Sequence, residues 1–344
     1  MKKEPIDIKK IEQEIKEEII EYKYIQNGHN LILTKNGNIY SWGMNAAGQC
    51  GLEHQNITVE KPTKINIQLE YEDEKVTHIY IGKAHSVAQT NKHNLYGWGW
   101  NEDGQCGVGS FMEYITRPKR IKIRREEDDI KIKQISVGGY HNLMLTEKGT
   151  LYTWGENLYG ECGTGTNVNL LEPNKIKDFL RGKETITRVE ALDNCNLSIA
   201  VTSRNKYYIW GEFANLNFKN PKPERIERPL HFISLAGLVN IAKHLIVKQK
   251  LNINEIKHGW TPLGLAVLAQ NKNMVKLLIE QKANINIPLK YERTALTDAI
   301  YLKKYDIVKL LLQQDPKQIH KQHQSCSLLH LTLKPPYNYS TFHN

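Results

Sequence analysis

A strict 56-residue period constrains the fold of this chain more than any other feature. Four Trp-Gly pairs begin at evenly spaced positions, Trp42, Trp98, Trp154 and Trp210. In the first three copies a histidine precedes the tryptophan at a constant distance, and a Gly-(Gln/Glu)-Cys-Gly segment follows it. A fixed long period indicates one supersecondary unit copied several times. The sequence therefore predicts a repeat array over this part of the chain.

Each copy contains short apolar alternations that are typical of β-strands. In the first copy, residues 31–34 and 39–42 flank Asn36-Gly37, a pair that favours the positive φ angles of a hairpin turn. A proline-containing strand near 62–65 and an alternating strand at 76–81 then lead into the next copy. Four strands per repeat is the strand count of one β-propeller blade.

The repeat also resembles that of a known family. Gly-x-x-His, followed by a hairpin that ends in Trp-Gly-x-Asn-x-x-Gly-Gln-x-Gly, is similar to the repeat of the regulator-of-chromosome-condensation family, whose members form seven-bladed propellers. The resemblance covers residues 23–227 and weakens in the fourth copy, where Leu197 replaces the histidine and Asn217-Phe218-Lys219 replaces Glu-Cys-Gly. Four copies cannot close a seven-bladed ring, so the resemblance implies an incomplete or small propeller.

A second, shorter period replaces the first from residue 228. It relates four evenly spaced leucines, Leu230, Leu263, Leu296 and Leu329. Thr261 is expected to cap a short helix that begins at Pro262. These residues resemble ankyrin repeats, which have this spacing and pair two helices and a finger loop in each unit. Three repeats are complete, and a fourth begins at Ser325 and ends before Pro335-Pro336, because proline cannot continue a helix.

The fold class predicted is therefore multi-domain, β followed by α. An incomplete or small β-propeller of about four four-stranded blades precedes an ankyrin α-solenoid of about three and a half repeats. We expect an amphipathic helix over 1–22, with isoleucines at helical spacing, propeller repeats over 23–227, ankyrin repeats over 228–334 and a tail over 335–344.

Charge is divided unevenly between the two halves. Residues 1–227 hold 31 Lys and Arg against 31 Asp and Glu, whereas residues 228–344 hold 16 against 6, which is the whole excess of +10. Such asymmetry predicts that the second half binds an acidic partner. A protein surface is the expected partner, and nucleic acid is a less favoured one because the basic residues are spread along the chain.

The N-terminus and the cysteines indicate where the chain resides. No run approaches the roughly 18 apolar residues that a transmembrane helix needs, and residues 1–7 lack the apolar core of a signal peptide. Five cysteines without a Cys-x-x-Cys pair fit a reducing compartment. We expect a cytoplasmic protein, with a cytoskeletal, ciliary or nuclear location as the alternatives.

No constellation of catalytic, cofactor-binding or metal-binding residues is recognisable. His29, His85 and His141 recur at one repeat position, which predicts a structural hydrogen bond rather than an active site. The repeated cysteines and tryptophans are predicted to be core residues for the same reason. There is no Walker loop, dinucleotide fingerprint or zinc pattern. The sequence therefore predicts a protein that is not an enzyme and carries no cofactor or metal.

Two regions are candidates for partner binding. Trp100 has no aromatic counterpart in the other copies, which makes it a candidate exposed anchor, and a packing role is the favoured alternative. Aromatic and basic side chains are common at binding hot spots. In the ankyrin finger loops the repeat register places candidates of this kind at Lys257, His258, Trp260, Lys290, Tyr291 and Arg293. Trp260 has the alternative role of packing against its neighbouring loop.

These observations favour a non-catalytic scaffold or adaptor that is a subunit of a larger assembly. Both repeat arrays end abruptly, so another chain or self-association is expected to complete the propeller and to cover the last ankyrin repeat. The alternatives are guanine-nucleotide exchange on a small GTPase, which the family resemblance implies, and binding to chromatin or nucleic acid.

Overall fold

The structure is a computed structural model that describes residues 7–123, 130–176, 180, 184–192, 196–213, 218–290 and 293–314. The chain divides into two compact units, Met1–Arg225 and Ile226–Asn344. The first unit is built of β-sheets and the second of helices, as the two sequence periods predict.

The described residues of the first unit form one short helix and four four-stranded antiparallel sheets, which we call blades 1 to 4 in chain order. Within each blade the strands follow chain order from one edge to the other. Blade 1 comprises β1 (Ile19–Tyr24), β2 (His29–Thr34), β3 (Ile39–Met44) and β4 (Thr58–Lys64), and blade 2 comprises β5 (Val76–Ile81), β6 (His85–Thr90), β7 (Leu95–Trp100) and β8 (Tyr114–Ile121). Blade 3 comprises β9 (Ile132–Val137), β10 (His141–Thr146), β11 (Leu151–Gly155) and β12 (Leu170–Lys175), and blade 4 comprises β13 (Ile186–Ala191), β14 (Asn196–Thr202), β15 (Tyr207–Phe213) and β16 (Phe218–Ile226).

The proline-containing strands are the outer edges of the blades. β4, β8, β12 and β16 each pair on one side only in this strand order, so their prolines interrupt no hydrogen-bond ladder in the middle of a sheet. At the opposite edge, β5 contacts β1 and β9, and β9 contacts β13. The first strands of successive blades therefore form the inner side of an arc, and among the described residues these contacts do not join blade 4 to blade 1.

Each repeated histidine is paired with the glycine of the Trp-Gly dipeptide. The Cα partners are His29 and Gly43 in blade 1 and His85 and Gly99 in blade 2. Gly99 has φ +107°, and a Cβ added there would lie 2.4 Å from the Ala84 carbonyl oxygen. Only glycine fits such a close backbone approach without strain, which explains why every copy within this chain keeps the Trp-Gly pair.

The N-terminal helix is shorter than the sequence predicts. Helix α1 covers Ile8–Ile15, and its C-cap Lys16 takes the left-handed conformation. The last isoleucine of the helical pattern, Ile19, instead begins strand β1. Between them the Glu17 carboxylate accepts hydrogen bonds from Thr34, Asn38 and Tyr40 of blade 1. These bonds hold the chain in a blade-edge conformation that cannot continue the helix.

The described part of the second unit contains three helix pairs, one pair for each complete ankyrin repeat. They are α2 (Pro229–Ala236) with α3 (Val239–Gln249), α4 (Pro262–Leu268) with α5 (Lys272–Glu280), and α6 (Ala295–Tyr301) with α7 (Tyr305–Leu312). Thr261 caps α4 as predicted, because its side chain accepts a hydrogen bond from the Gly264 amide. The predicted fourth half-repeat lies outside the described residues. Of the helices in the described ranges, none is long and apolar enough to span a membrane.

Candidate partner-binding surfaces

A buried hydrogen-bond network joins blade 1 to blade 2. His29 Nε2 lies 2.8 Å from Ser86 Oγ, and Ser86 Oγ donates to the Gln49 carbonyl at 3.3 Å. The Trp98 indole N–H donates to the same carbonyl at 3.0 Å. All four of these residues are at most 2% exposed. The histidine and the Gly-Gln-Cys-Gly loop of one blade thus bind a polar residue and the tryptophan of the next.

The same network recurs at the next two interfaces. His85 Nε2 lies 3.0 Å from Asn142 Oδ1, and His141 Nε2 lies 2.8 Å from Ser198 Oγ. The indoles of Trp154 and Trp210 donate to the carbonyls of Gln105 and Glu161 at 3.1 and 2.7 Å. Burial lowers the pKa of His29, His85 and His141 to about 3, 4 and 3. The structural role predicted for the histidines is confirmed, because a neutral buried imidazole in a fixed hydrogen bond is a packing group.

The repeated cysteines have the buried position that the sequence predicts. Cys50, Cys106 and Cys162 are free thiols with no exposed surface. Burial raises the pKa of the Cys50 thiol to about 12. A thiol with so high a pKa is inert as a nucleophile at neutral pH, so these residues contribute to packing.

Trp42 departs from the prediction that all four repeated tryptophans lie in the core. Trp98, Trp154 and Trp210 are fully buried, whereas Trp42 is half-buried. Its ring stacks on Tyr22 at 6.1 Å between centroids, and Tyr22 stacks on Tyr24, which is 62% exposed. Tyr22 Oη donates to Asn30 Oδ1 at 3.0 Å. We call Tyr22, Tyr24, Asn30 and Trp42 the open face of blade 1.

Trp100 lies at the end of β7, where its side chain is only partly exposed. It makes an edge contact with the ring of Tyr140 at 5.5 Å, and Lys83 Nζ lies 4.8 Å from the centroid of that ring. Burial, followed by the charge of Asp103, raises the pKa of the neighbouring Glu156. Trp100, Lys83 and Glu156 thus each contact Tyr140, since the Glu156 amide donates to the Tyr140 carbonyl. The role of Trp100 as a binding anchor stays a prediction.

The finger loop before α4 is a tight hairpin. Lys257 and Trp260 exchange two main-chain hydrogen bonds of 2.8 and 2.9 Å. The two residues between them, His258 and Gly259, have φ angles of +49° and +81°, which define a type I′ turn. The Lys290 amide of the next finger donates to the Gly259 carbonyl at 2.7 Å. Two successive fingers are thus linked through their main chains.

Trp260 and Arg293 are buried, which is the packing alternative for Trp260 and differs from the surface position predicted for Arg293. Trp260 is 4% exposed and packs in a cluster with Leu265, Leu268 and Leu289. Arg293 is 8% exposed, and its Nε lies 2.7 Å from Oδ1 of the fully buried Asp298. Both side chains stabilise the finger from within, so we leave them out of the binding surface. Repeat register located the fingers but could not show which way each side chain points.

The remaining finger candidates reach solvent. His258 and Lys290 are exposed and Lys257 is partly exposed, and we call these three residues the finger surface. Tyr291 lies outside the described residues. The finger surface combines a rigid main chain with basic side chains, which is suited to binding an acidic surface.

Comparisons with known families agree with the two periods. The family model for the regulator of chromosome condensation (RCC1) repeat matches residues 36–89, 92–145 and 148–197. A second model of that repeat matches 76–105 and 132–161. The model for ankyrin repeats matches 209–323 in three copies. The chain therefore belongs to the class of repeat proteins that join a β-propeller array to an ankyrin array.

Similar proteins and structures define the β unit further. The chain is 27% identical to Protein RCC2 homolog of Xenopus laevis over 60% of this chain and 43% of the relative. It is 30% identical to the Ultraviolet-B receptor UVR8 of Arabidopsis thaliana over 54% and 39%. It is 36% identical to the probable E3 ubiquitin-protein ligase HERC6 of Homo sapiens over 44% and 14%. This chain is an RCC1-repeat protein with ankyrin repeats, and its match spans less than half the length of each of these curated relatives.

Solved structures show the same fold. Human WBSCR16 matches with a TM-score of 0.51 and 24% identity, over 61% of this chain and 53% of that one. Yeast RCC1 (Prp20), solved with Kap60 bound to it, matches with a TM-score of 0.50 and 24% identity, over 62% and 49%. The four blades thus correspond to about half of a related propeller.

Proposed function

We propose that this chain is a non-catalytic adaptor whose ankyrin finger surface binds an acidic protein partner. The observation that carries the proposal is the linked pair of fingers, where main-chain bonds hold Lys257, His258 and Lys290 at the surface. Because the fingers are ordered by the buried Trp260 and Arg293, binding loses little conformational entropy. The excess of basic residues in this half supplies a favourable long-range field for an acidic surface.

The chemistry of the described residues supports binding rather than catalysis. The repeated histidines and cysteines are buried structural groups, and no three potential metal ligands cluster anywhere in the described ranges. The families that match the chain are repeat families. The ligase named among the relatives matches over 14% of its own length, so its activity does not transfer to this chain.

Affinity capture with the full-length chain tests the proposal. The bait is treated with nuclease at physiological ionic strength and compared with a Lys257→Ala/Lys290→Ala double variant. A matched control, Lys276→Ala/Lys282→Ala, removes two other exposed lysines of the same unit. We expect the finger variant to lose a discrete acidic protein by about tenfold, since each desolvated charge pair contributes roughly 0.5–1 kcal/mol. Equal loss in both variants would contradict a defined finger surface.

Regulation of a small GTPase is the second candidate, and the fold likeness to Prp20 supports it. The structure of Prp20p from Saccharomyces cerevisiae was described together with its binding to Gsp1p and histones. A nucleotide-release assay with a panel of small GTPases distinguishes this candidate from the adaptor. Acceleration by orders of magnitude would establish exchange activity, and the adaptor proposal expects none. Capture that disappears after nuclease treatment would instead indicate nucleic-acid binding.

A further inference from the structure

The open face of blade 1 repeats the surface with which every later blade binds the blade before it. Trp42 and Asn30 of blade 1 are at the same repeat positions as Trp98 and Ser86 of blade 2. In blade 2 the indole N–H and the serine hydroxyl bond the Gln49 carbonyl of blade 1. Among the described residues no blade precedes blade 1, so Trp42 Nε1 has no such acceptor.

The three internal interfaces specify what would fit this surface. Each consists of a histidine Nε2 within 3.0 Å of the polar residue. Each also has a main-chain carbonyl within 3.1 Å of the indole nitrogen. Both groups come from one blade, the histidine from its second strand and the carbonyl from its Gly-(Gln/Glu)-Cys-Gly loop. By this pattern, the group complementary to the open face of blade 1 is the histidine-bearing face of another blade.

Aromatic residues occupy the site in the free chain. Tyr22 is paired with Ile32, as Ile79 is paired with Ala88 in blade 2, so a tyrosine stands where the repeat otherwise has an aliphatic core residue. Its hydroxyl takes the place of the missing histidine at Asn30 Oδ1. Ile32, the β2 residue opposite Tyr22, is fully buried. The part of the open face that a partner can reach is therefore the region around Trp42. Exposed aromatic rings beside an amide are typical of protein interfaces.

A second copy of this chain cannot supply the matching face. His29, His85 and His141 are each bonded to the following blade within their own chain. Blade 4 has Leu197 at the histidine position, so it offers no imidazole to Asn30. Among the described residues, blade 1 therefore presents a receiving surface, whereas blade 4 presents no donating histidine.

We propose that the open face of blade 1 binds the histidine-bearing face of an RCC1-type blade contributed by a different polypeptide. In the complex a histidine Nε2 of that polypeptide replaces Tyr22 Oη at Asn30, and a loop carbonyl accepts from Trp42 Nε1. The inference rests on the proposed adaptor function and specifies a partner for the β unit.

Site-specific photo-cross-linking in the source cells tests this inference. A benzophenone amino acid replaces Tyr24 in the full-length chain, and a control probe replaces Tyr71, which is 54% exposed in the same unit. The expected product of the Tyr24 probe is a peptide of a different chain that carries the Gly-x-x-His or Gly-Gln-x-Gly motif. The Tyr71 probe is expected not to give this product.

A matched pair of variants separates binding from folding. Trp42→Phe keeps a smaller aromatic ring against Tyr22 and removes the indole N–H together with part of the ring surface. Because Trp42 is only half-buried in the free chain, we expect about a tenfold loss of cross-linking without loss of thermal stability. Trp98→Phe removes the N–H that bonds Gln49 and is expected to lower the unfolding temperature. A Trp42→Phe variant that cross-links like the wild type overturns the inference.

Other products also decide the question. Cross-links to a second copy of this chain, to its own ankyrin unit or to a protein without the repeat overturn the inference. So does the absence of any product at Tyr24. If the ankyrin fingers still capture their acidic partner in that case, the adaptor function stands and only the blade partner is wrong. If capture also fails, the proposed function fails with it.

Discussion

Glu161 differs from its counterparts in the first two blades, which carry Gln49 and Gln105. The Tyr159 amide donates to Glu161 Oε2, as the Ala47 amide donates to Gln49 Oε1. Glu161 is fully buried, and its Oε1 has no hydrogen-bond partner in the described part of the chain. Burial raises the pKa of Glu161 to about 7. The loop is built for a neutral amide, so the ionised carboxylate destabilises it.

Glu161→Gln is therefore expected to stabilise the protein. Because folding raises the pKa of Glu161, the protonated side chain contributes most to the stability of the wild type at low pH. This contribution is lost as the pH rises through about 7. The gain of the variant should be near zero below about pH 4, where Glu161 is protonated in both states, and reach roughly 1–3 kcal/mol above about pH 8. Urea unfolding followed by tryptophan fluorescence measures the free energy of unfolding of the wild type and the variant at each pH. Gln105→Glu is the converse control, and a gain independent of pH would contradict the explanation.

The buried histidines give a pH dependence of the opposite sign. Burial lowers the pKa of His85 to about 4, whereas the unfolded chain titrates near 6.5. The unfolded state therefore takes up protons first as the pH falls, and stability decreases below about pH 6.5. His85 alone should remove about 2 kcal/mol of stability by about pH 5.

His85→Gln isolates this effect, because its side-chain amide can still donate to Asn142 Oδ1. The variant should be less stable than the wild type at about pH 7.5, and the gap should narrow by about 2 kcal/mol at about pH 5. Denaturant titrations at the two pH values give the gap. A gap that stays constant would show that His85 is not buried in its neutral form.

The finger hairpin is the element that connects fold to binding in the second unit. Gly259 has φ +81°, and a Cβ there would lie 3.0 Å from Lys290 Cβ in the next finger. Its carbonyl is also the acceptor that links the two fingers. The conformation of this single glycine therefore determines where Lys257, His258 and Lys290 stand.

Gly259→Ala is expected to destabilise the ankyrin unit by about 1 kcal/mol or more, because alanine is strained at positive φ. It should also weaken capture of the acidic partner although it removes no charge. Thermal unfolding followed by helical circular dichroism and the capture assay are the two measurements. Asn273→Ala, at an exposed position of α5, is the control. Normal capture by a destabilised Gly259→Ala variant would show that finger geometry does not matter for binding.

The two sequence periods were sufficient to predict the elements and their order. Every blade strand and every ankyrin helix occurs in several copies, so a weak signal in one copy is compensated by a clear signal at the same position in another. The predicted blade strands and ankyrin helices are confirmed. The ends of the arrays were less predictable. α1 ends before Ile19 because Glu17 is hydrogen-bonded to blade 1. Trp42 is only half-buried because the repeat pattern assumes a preceding blade that would cover it, and the described residues contain none. Side-chain direction at Trp260 and Arg293 likewise depends on packing that no spacing encodes.

At the scale of the whole molecule, the two units present surfaces of different chemistry. The open face of blade 1 is aromatic and neutral, whereas the finger surface is basic. Exposed charges are screened within about 8 Å at physiological ionic strength, but aromatic burial is not weakened by salt. The two proposed partners should therefore differ in their response to ionic strength.

Raising the salt concentration is expected to release the acidic partner and to retain the blade partner. The physical reason is that only the finger contact depends on charge pairs. Quantifying both partners on the full-length bait across a salt series tests this. The Lys276→Ala/Lys282→Ala variant serves as the control, since it should follow the wild type. Simultaneous release of both partners would indicate one shared surface.

Native mass spectrometry of the complex isolated with the full-length chain shows how many partner chains it holds at once. An adaptor with two separate surfaces should hold two different partner chains at once, one acidic and one with the same blade repeat. Lys257→Ala/Lys290→Ala should remove only the first, and Trp42→Phe only the second. Isolation of the chain alone or only with copies of itself, or loss of both partners by either variant, would contradict an adaptor with two separate surfaces.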